Sequence, residues 1–481
     1  MDWNDPEAVK EYNLRFKQWR DHRAETIATF PESPRDLGSQ HKSDLKDDQT
    51  VKAITVCFSD IEGRFHMLDY DKDYILASDD NLTFDGSSIR GFTNQNESDL
   101  RLALDWSAFY IAPPSVFGPG KVMVFSEIRD KDGHLYDCDI RAQLKLFLKE
   151  ESQLGRFVNV AAEIEGFLFE GQNAEKIFYQ SPEFHCVTTG GYFNTLPSSQ
   201  LRSFIDKAAE AQRALGFENE KDHPEVAPAQ FELNWKYTEA LIAADQIQLY
   251  KMVCRVVADR MGYTASFLPK PLAGVNGNGM HTNISFHQTV LNKPTKNLMY
   301  DKATKDGISE WARKFADGIL RRAKDICLVL NPSVNAYRRL DPHYEAPNEI
   351  FASAVDRGAM IRFPLCNEKS ARVEVRSVSP DANPYLLLLV LLKAGLRGQQ
   401  EELIPTDRPC ELLPQNIHEA ICGFNDNMFI TEALGLDARR KYADWKEASA
   451  DRCPKLLGKN IKPAEIMFHH EVTNQHLWQM F

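Results

Sequence analysis

The chain has 481 residues, 43% hydrophobic and 26% charged, with a net charge of −12. That length allows two to three domains, and the acidic balance excludes broad attraction to nucleic acid or an anionic membrane. Nine scattered cysteines without a CxxC pair point to reduced thiols in a cytoplasmic protein, and the longest apolar run, LLLLVLL at 386–392, is too short to span a bilayer.

Residues 1–30 read as a charged helical arm, and 31–50, rich in Pro, Ser and charge, as a linker. A β-rich unit follows over 51–138. In it VKAITVCFSD and RFHMLDY flank the turn IEG at 61–63 and predict a hairpin. VMVFSEI (122–128) and HLYDCDI (134–140), around DKDG, predict another. From 139 to 481 strands alternate with helices, giving an α+β fold class. Strands are expected at 158–169, 229–236, 281–287 and 371–376. Helices are expected at 198–215, 239–261, 307–329, 384–397 and 437–449. Polar residues at alternate strand positions predict an antiparallel sheet with one wet face.

The strand NVAAEIEGFLF (159–169) carries Glu163 and Glu165, which share a face because strand side chains alternate. A carboxylate in apolar surroundings costs several kcal/mol unless it is paired or bound to metal. More such groups follow. HPEVAPAQFEL (223–233) carries Glu225 and Glu232, with Pro228 between them predicting a bend or bulge. GNGMHTNIS (277–285) places His281 at a strand start, and ARVEVRS (371–377) puts Glu374 and Arg376 on one face. Each motif alone also fits a solvated face or a cross-strand ion pair; their conjunction carries the reading. Five carboxylates and one imidazole suit Mg²⁺ or Mn²⁺ better than zinc, and six ligands predict two or more ions.

Arginines cluster in this acidic chain: Arg338 and Arg339, Arg357 and Arg362, then Lys369, Arg372 and Arg376. Forked guanidinium groups at this density predict bound phosphates or carboxylates. Metals beside them point to nucleotide-dependent phosphoryl transfer, and no GxxxxGK[ST] loop occurs.

With these residues in order, the chain resembles the glutamine synthetase family, type I, from about residue 50 onward. The matching motifs are FDGSSIRGF (84–92), NESDL (96–100), EIEGFLF (163–169), GGYF (190–193), PEVAPAQFEL (224–233), NGNGMHTNIS (276–285), NAYRRLDPHYEAP (335–347), AVDRGAMIRFP (354–364) and ARVEVRSVSPDANPY (371–385). The resemblance implies a small N-terminal β-grasp domain and a catalytic domain with a curved antiparallel sheet. It further implies two stacked six-membered rings, with active sites between subunits. By motif, Glu165, Glu225 and Glu232 would hold a first metal, and Glu163, His281 and Glu374 a second. Asn276, Gly277, His281, Arg339, Glu345 and Arg376 would lie around the amino acid. Arg357 and Arg376 would neutralise the transferring phosphoryl group, and Arg362 would help hold ATP. Tyr237, Ser285, Lys369 and Arg372, with Glu220, would complete the nucleotide site. Asp85 and Tyr192 would form the ammonium pocket, and Glu345 would sit on a closing loop.

The implied activity is ATP-dependent ligation of ammonia to the γ-carboxylate of L-glutamate. Alternatives are a γ-glutamyl ligase for a polyamine or ethanolamine, and an inactive structural relative. The chain departs from the family pattern in three places: His223-Pro224 stands for two histidines, Ala229 for a glycine, and Asn94 for an arginine used in feedback control. No tyrosine lies between Tyr385 and Tyr442, so the acceptor for adenylylation found in some type I enzymes is missing.

Overall fold

The computed structural model describes residues 34–78, 81–177, 184–195, 199–290, 293–405 and 409–450; the arm expected at 1–30 lies outside them. Within the expected linker the chain forms a helix, Pro34–Asp47. Tertiary contact overrides its linker-like composition: Leu45 is buried, and the His41 ring stacks on Phe109 at 4.8 Å while Nδ1 lies 2.8 Å from the Trp106 carbonyl.

Five strands build the first sheet: β1 (Ala53–Ser59), β2 (Phe65–Asp71), β3 (Leu82–Asp85), β4 (Asp99–Ile111) and β5 (Lys121–Arg129). Their order is β2-β1-β5-β4-β3. β1 and β5 run parallel and the other pairs antiparallel. The hairpin around IEG forms as expected, with Gly63 at φ +87° in its turn. The second expected hairpin does not. Residues 134–140 make one bridge, Arg129 to Leu135, and then Asp139 accepts the Ala142 N–H and caps the helix Ile140–Gln153. β5 lies instead between β1 and β4, and the alternation of β4 is broken by a register shift between Asp105 and Phe109.

The second sheet has ten strands. They are β6 (Arg156–Glu170), β7 (Asn219–Pro224), β8 (Gln230–Trp235), β9 (Thr238–Glu239), β10 (Tyr263–Ser266), β11 (Met280–Val290), β12 (Lys293–Asn297), β13 (Glu349–Ser353), β14 (Ala359–Arg362) and β15 (Val373–Val375). The main order is β13-β14-β15-β11-β6-β8-β7, antiparallel apart from β13 with β14. The long helices Ala240–Arg260 and Pro384–Gly398 are buried along most of their length. The helix expected over 307–329 is two, Glu310–Arg321 and Ala323–Leu330. At the break Arg322 leaves helical geometry (φ −106°, ψ 9°) and donates to both oxygens of Glu401.

Three buried ties join the sheets. Arg141 donates to Asp245 through Nε (2.8 Å) and to Asp105 through Nη1 (3.1 Å). Asn383 caps the helix Pro384–Gly398 through its side-chain oxygen and donates from Nδ2 to the Ile61 carbonyl at 3.1 Å. Lys446 donates to Glu62 at 2.9 Å. Among the described residues no helix is long and apolar enough to cross a membrane.

Candidate active site

Strand register builds the site. Glu163 and Glu165 lie two apart on β6, where partly exposed and buried residues alternate through this stretch, so both face the open side. Across the ladder to β11, Glu163 faces His281; across the ladder to β8, Glu165 faces Glu232. Glu232 in turn faces His223 of β7. On the far side, Glu374 of β15 pairs with Asn283 of β11, two residues beyond His281. Five adjacent strands thus carry one band of acids and imidazoles.

Within the band, potential ligand atoms gather into two groups, each within 4.8 Å: Glu163, His281 and Glu374; and His223, Glu225 and Glu232. Oxygen-rich sets with one imidazole fit a hard divalent cation. Glu165 lies in neither group. Its Oε2 accepts the Gly279 N–H at 2.6 Å and lies 3.4 Å from Gln230 Nε2. A Cβ at residue 279 would come within 2.7 Å of Arg339 Nη2, so a larger residue there would displace the guanidinium. Glu225 and Glu232 come together through a hairpin turn over 225–229 that Ala229 closes in the left-handed region, φ +58°; the expected interruption at Pro228 within a continuous pattern is instead this turn.

Acids this close perturb one another. Burial pushes Glu165 up to about 8, and the neighbouring Glu225 charge adds to it. Burial raises Glu232 well above the ordinary range, with Glu165, Glu163 and Glu225 adding repulsion. Glu163 goes the other way: burial acts upward, but His281, Asn283 and Arg372 outweigh it. His281 is lowered, first by burial and then by Arg376.

Guanidinium groups line the side of the second group. Arg362 donates to Glu374 Oε2 through Nε (2.8 Å), and Arg376 donates to Glu374 Oε1 through Nη1 (2.6 Å). Arg376 also holds the Arg357 carbonyl at 2.9 Å, while the Arg357 side chain is exposed. Arg372 reaches Glu163 at second hand: its Nε donates to Asn283 (2.8 Å), and Asn283 donates to Glu163 (3.0 Å). Arg339 is buried, donates to the Arg376 carbonyl at 3.0 Å and leaves Nη1 unpartnered. Burial lowers its pKa to about 10. Asn276 donates to Glu345 at 3.3 Å, and Glu345 sits at φ +62°.

The glutamine synthetase catalytic-domain family model matches residues 137–462, and the glutamine synthetase β-grasp model matches 50–131. The chain belongs to the glutamine synthetase family.

Glutamine synthetase from Methanosarcina mazei is 36% identical over 78% of this chain and 85% of its own length. That from Staphylococcus aureus (strain MW2) is 37% identical over 85% of this chain and 94% of its own. In fold, the chain is similar to Plasmodium falciparum glutamine synthetase, with a TM-score of 0.78 and 20% identity over 90% of this chain and 98% of that one. The GmaS/ADP complex gives a TM-score of 0.74 at 24% identity, over 87% and 96%. Members of the glutamine synthetase family are ligases that use ATP and divalent metal ions.

The remaining expected site residues of this glutamine synthetase-family chain are placed more loosely. Asp85 ends β3 of the β-grasp sheet, and its carboxylate accepts from Ser87 N (2.9 Å), Ser87 Oγ (2.6 Å) and Ser88 Oγ (2.5 Å). Those bonds hold its pKa below the ordinary range. Tyr192 is half exposed and stacks on Phe193 at 3.8 Å. Ser285 Oγ lies 3.4 Å from His287 Nε2. Glu220, Tyr237 and Lys369 are exposed. Sequence reasoning missed His223, Gln230 and Asn283 as members of the band. Each lies two residues from an expected ligand on a strand or at its end, so the same alternation that flagged Glu163 and Glu165 reaches them.

Proposed function

We propose that this protein joins ammonia to the γ-carboxylate of L-glutamate at the expense of ATP, in the cytoplasm, by way of γ-glutamyl phosphate. The reading rests on one observation: two cation-fitting groups lie side by side on one sheet face, flanked by Arg339, Arg362 and Arg376. Glu165, Glu225 and Glu232 would hold the first ion and Glu163, His281 and Glu374 the second. Bound there, divalent ions would supply electrostatic stabilisation of phosphate and carboxylate oxygens.

The protein's own residues do the rest. Arg339, with its unpartnered Nη1, is suited to a carboxylate of the amino acid, beside Asn276 and Gly277. Residue 277 is held to glycine because a Cβ would meet the Pro269 carbonyl at 2.4 Å. Arg357 and Arg376 would offset charge on the transferring phosphoryl group, with Arg362, Arg372, Lys369, Ser285, Tyr237 and Glu220 on the nucleotide side. Phosphorylation converts a carboxylate, a poor acyl donor, into one with a good leaving group. Asp85, kept ionised by its serine bonds, would draw ammonium and take its proton, with Tyr192 in the same pocket. Glu345 would close over the site and exclude water from the acyl phosphate.

Asp85 lies on the first sheet, with its carboxylate satisfied by its own turn. This is in keeping with an assembly, a dodecamer of two hexameric rings, in which one subunit's β-grasp domain completes its neighbour's site. The test is phosphate release from ATP and glutamate with ammonium, putrescine or ethanolamine in parallel, followed by identification of the amide. Ammonium as the preferred amine supports the reading. Preference for another amine replaces ammonia but keeps the chemistry, and no release with any amine overturns it.

A further inference from the structure

His223 is a member of the acidic band to which the reading above gives no task. Its ring is 5% exposed and sits among Glu225, Glu232 and the two aromatic rings of Tyr192 and Phe193. Both rings meet it edge-on, Phe193 at 5.0 Å and 89° and Tyr192 at 5.7 Å and 80°, which fixes the plane of the imidazole.

The hydrogen bonding fixes its tautomer. Nδ1 lies 3.1 Å from the Pro224 carbonyl and 3.5 Å from Glu225 Oε1. The carbonyl can only accept, so Nδ1 carries the proton. Nε2 is then the nitrogen with the lone pair. It is buried, has no hydrogen-bond partner, and lies 3.7 Å from Glu232 Oε1, too long for a hydrogen bond. A buried imidazole whose Nδ1–H is tied to a backbone carbonyl, with its other nitrogen bare beside the Glu232 carboxylate, is the arrangement of a metal-ligating histidine. Glu165, by contrast, has Oε2 engaged by the Gly279 N–H.

We propose that His223 Nε2 is itself a ligand of the first divalent ion, beside Glu225 and Glu232. The proposal rests on the reading of these acids as a metal site. It gives each of the two sites one imidazole, His223 in the first and His281 in the second. An imidazole favours Mn²⁺ over Mg²⁺, which binds oxygen almost exclusively.

The experiment is pulsed electron paramagnetic resonance on the Mn²⁺-loaded full-length protein, reading ¹⁴N coupling to the ion, with Mn²⁺ stoichiometry and affinity from titration calorimetry. The His281→Ala variant removes the imidazole of the second site. It retains ¹⁴N coupling, and the His281→Ala/His223→Ala double variant loses it. His223→Ala alone weakens one class of Mn²⁺ sites by about tenfold or more, as loss of a ligand costs at least what loss of its supporting partner does. If His281→Ala binds Mn²⁺ but shows no ¹⁴N coupling, the His223 assignment is overturned while the metal site stands. If the wild-type protein binds no Mn²⁺, both are overturned. Should His281→Ala fail to fold, His223→Ala decides alone: nitrogen coupling and affinity both unchanged from wild type refute the proposal.

Discussion

Glu374 and Arg362 face each other across the β14–β15 ladder, and both Nε (2.8 Å) and Nη2 (2.5 Å) of the arginine bond to the same carboxylate oxygen. Arg376 takes the other oxygen, so without metal a fully buried carboxylate is neutralised by two guanidinium groups. A cation binding Glu374 takes over part of that role. Arg362→Ala should therefore lower the melting temperature in EDTA, by an amount equivalent to about 1–3 kcal/mol. The gap to wild type should narrow when Mn²⁺ is added. Differential scanning calorimetry with and without Mn²⁺ checks this; an equal gap in both conditions would mean that Glu374 does not meet the ion.

The raised acids give the metal-free protein a pH dependence of definite sign. Glu165 is pushed from its ordinary 4.5 up to about 8, and Glu225 and Glu232 are raised as well, all first by burial. The folded state then binds more protons than the unfolded one, so their contribution is full below about pH 4.5 and is lost as pH rises toward 8. In EDTA the melting temperature should fall between pH 5 and pH 8, apart from other titrating groups, and saturating Mn²⁺ should flatten that fall. A metal-free protein whose stability rises over this window, with a slope untouched by Glu165→Gln, would contradict it.

Ala229 occupies a left-handed conformation, φ +58°, at the turn that joins β7 to β8. A Cβ there costs about 1–2 kcal/mol that glycine avoids. Ala229→Gly should raise the melting temperature, by the equivalent of about 1 kcal/mol after the flexibility of glycine in the unfolded chain is offset. A lower melting temperature would show that the Ala229 methyl, fully buried, packs more favourably than its backbone is strained.

Asp85→Ala should depress ammonium-dependent synthesis far more than ATP binding. The carboxylate is bonded within its own turn, to Ser87 and Ser88. Steady-state kinetics against ammonium, together with nucleotide titration, separate the two effects. Equal losses in both would assign Asp85 a role in holding the turn alone.

The protein should escape adenylylation. The chain lacks tyrosine between Tyr385 and Tyr442. Both of these are buried, with their hydroxyls donating to Asp245 (2.8 Å) and to the Leu328 carbonyl (3.2 Å) respectively. Intact-mass analysis of protein from nitrogen-replete cells should show no species heavier by one AMP; such a species mapped to a tyrosine would refute this.

Much of the site was legible because its geometry is strand geometry. Alternation alone placed Glu163 beside Glu165, and the acids of β6, β8 and β15 met His281 of β11 because these strands are neighbours. Alternation could not say which acid a backbone N–H would claim. Glu165 bonds to Gly279, 114 residues away, and that contact is a tertiary one. The same limit explains the errors in the fold. The pattern of 134–140 is strand-like, yet Asp139 is committed to capping a helix. β4 is interrupted by a bulge that hides its period. Pro and Ser at 31–50 signal a linker, but the helix Pro34–Asp47 follows from packing that no local pattern reports.

Lys446 and Glu62 are both almost fully buried and lie 384 residues apart in sequence. At ribosomal speeds of about 5–20 residues per second, their separation corresponds to about 20–80 s of synthesis. Through that interval the first sheet has left the ribosome, while Glu62 still lacks Lys446 and the turn at Ile61 lacks Asn383 for nearly as long. The nascent chain must therefore keep a half-finished docking surface soluble until its C-terminal helices arrive. Truncation anywhere before residue 446 strands a buried carboxylate without that counter-ion, so the docking of the first sheet is completed only once residue 446 has been made.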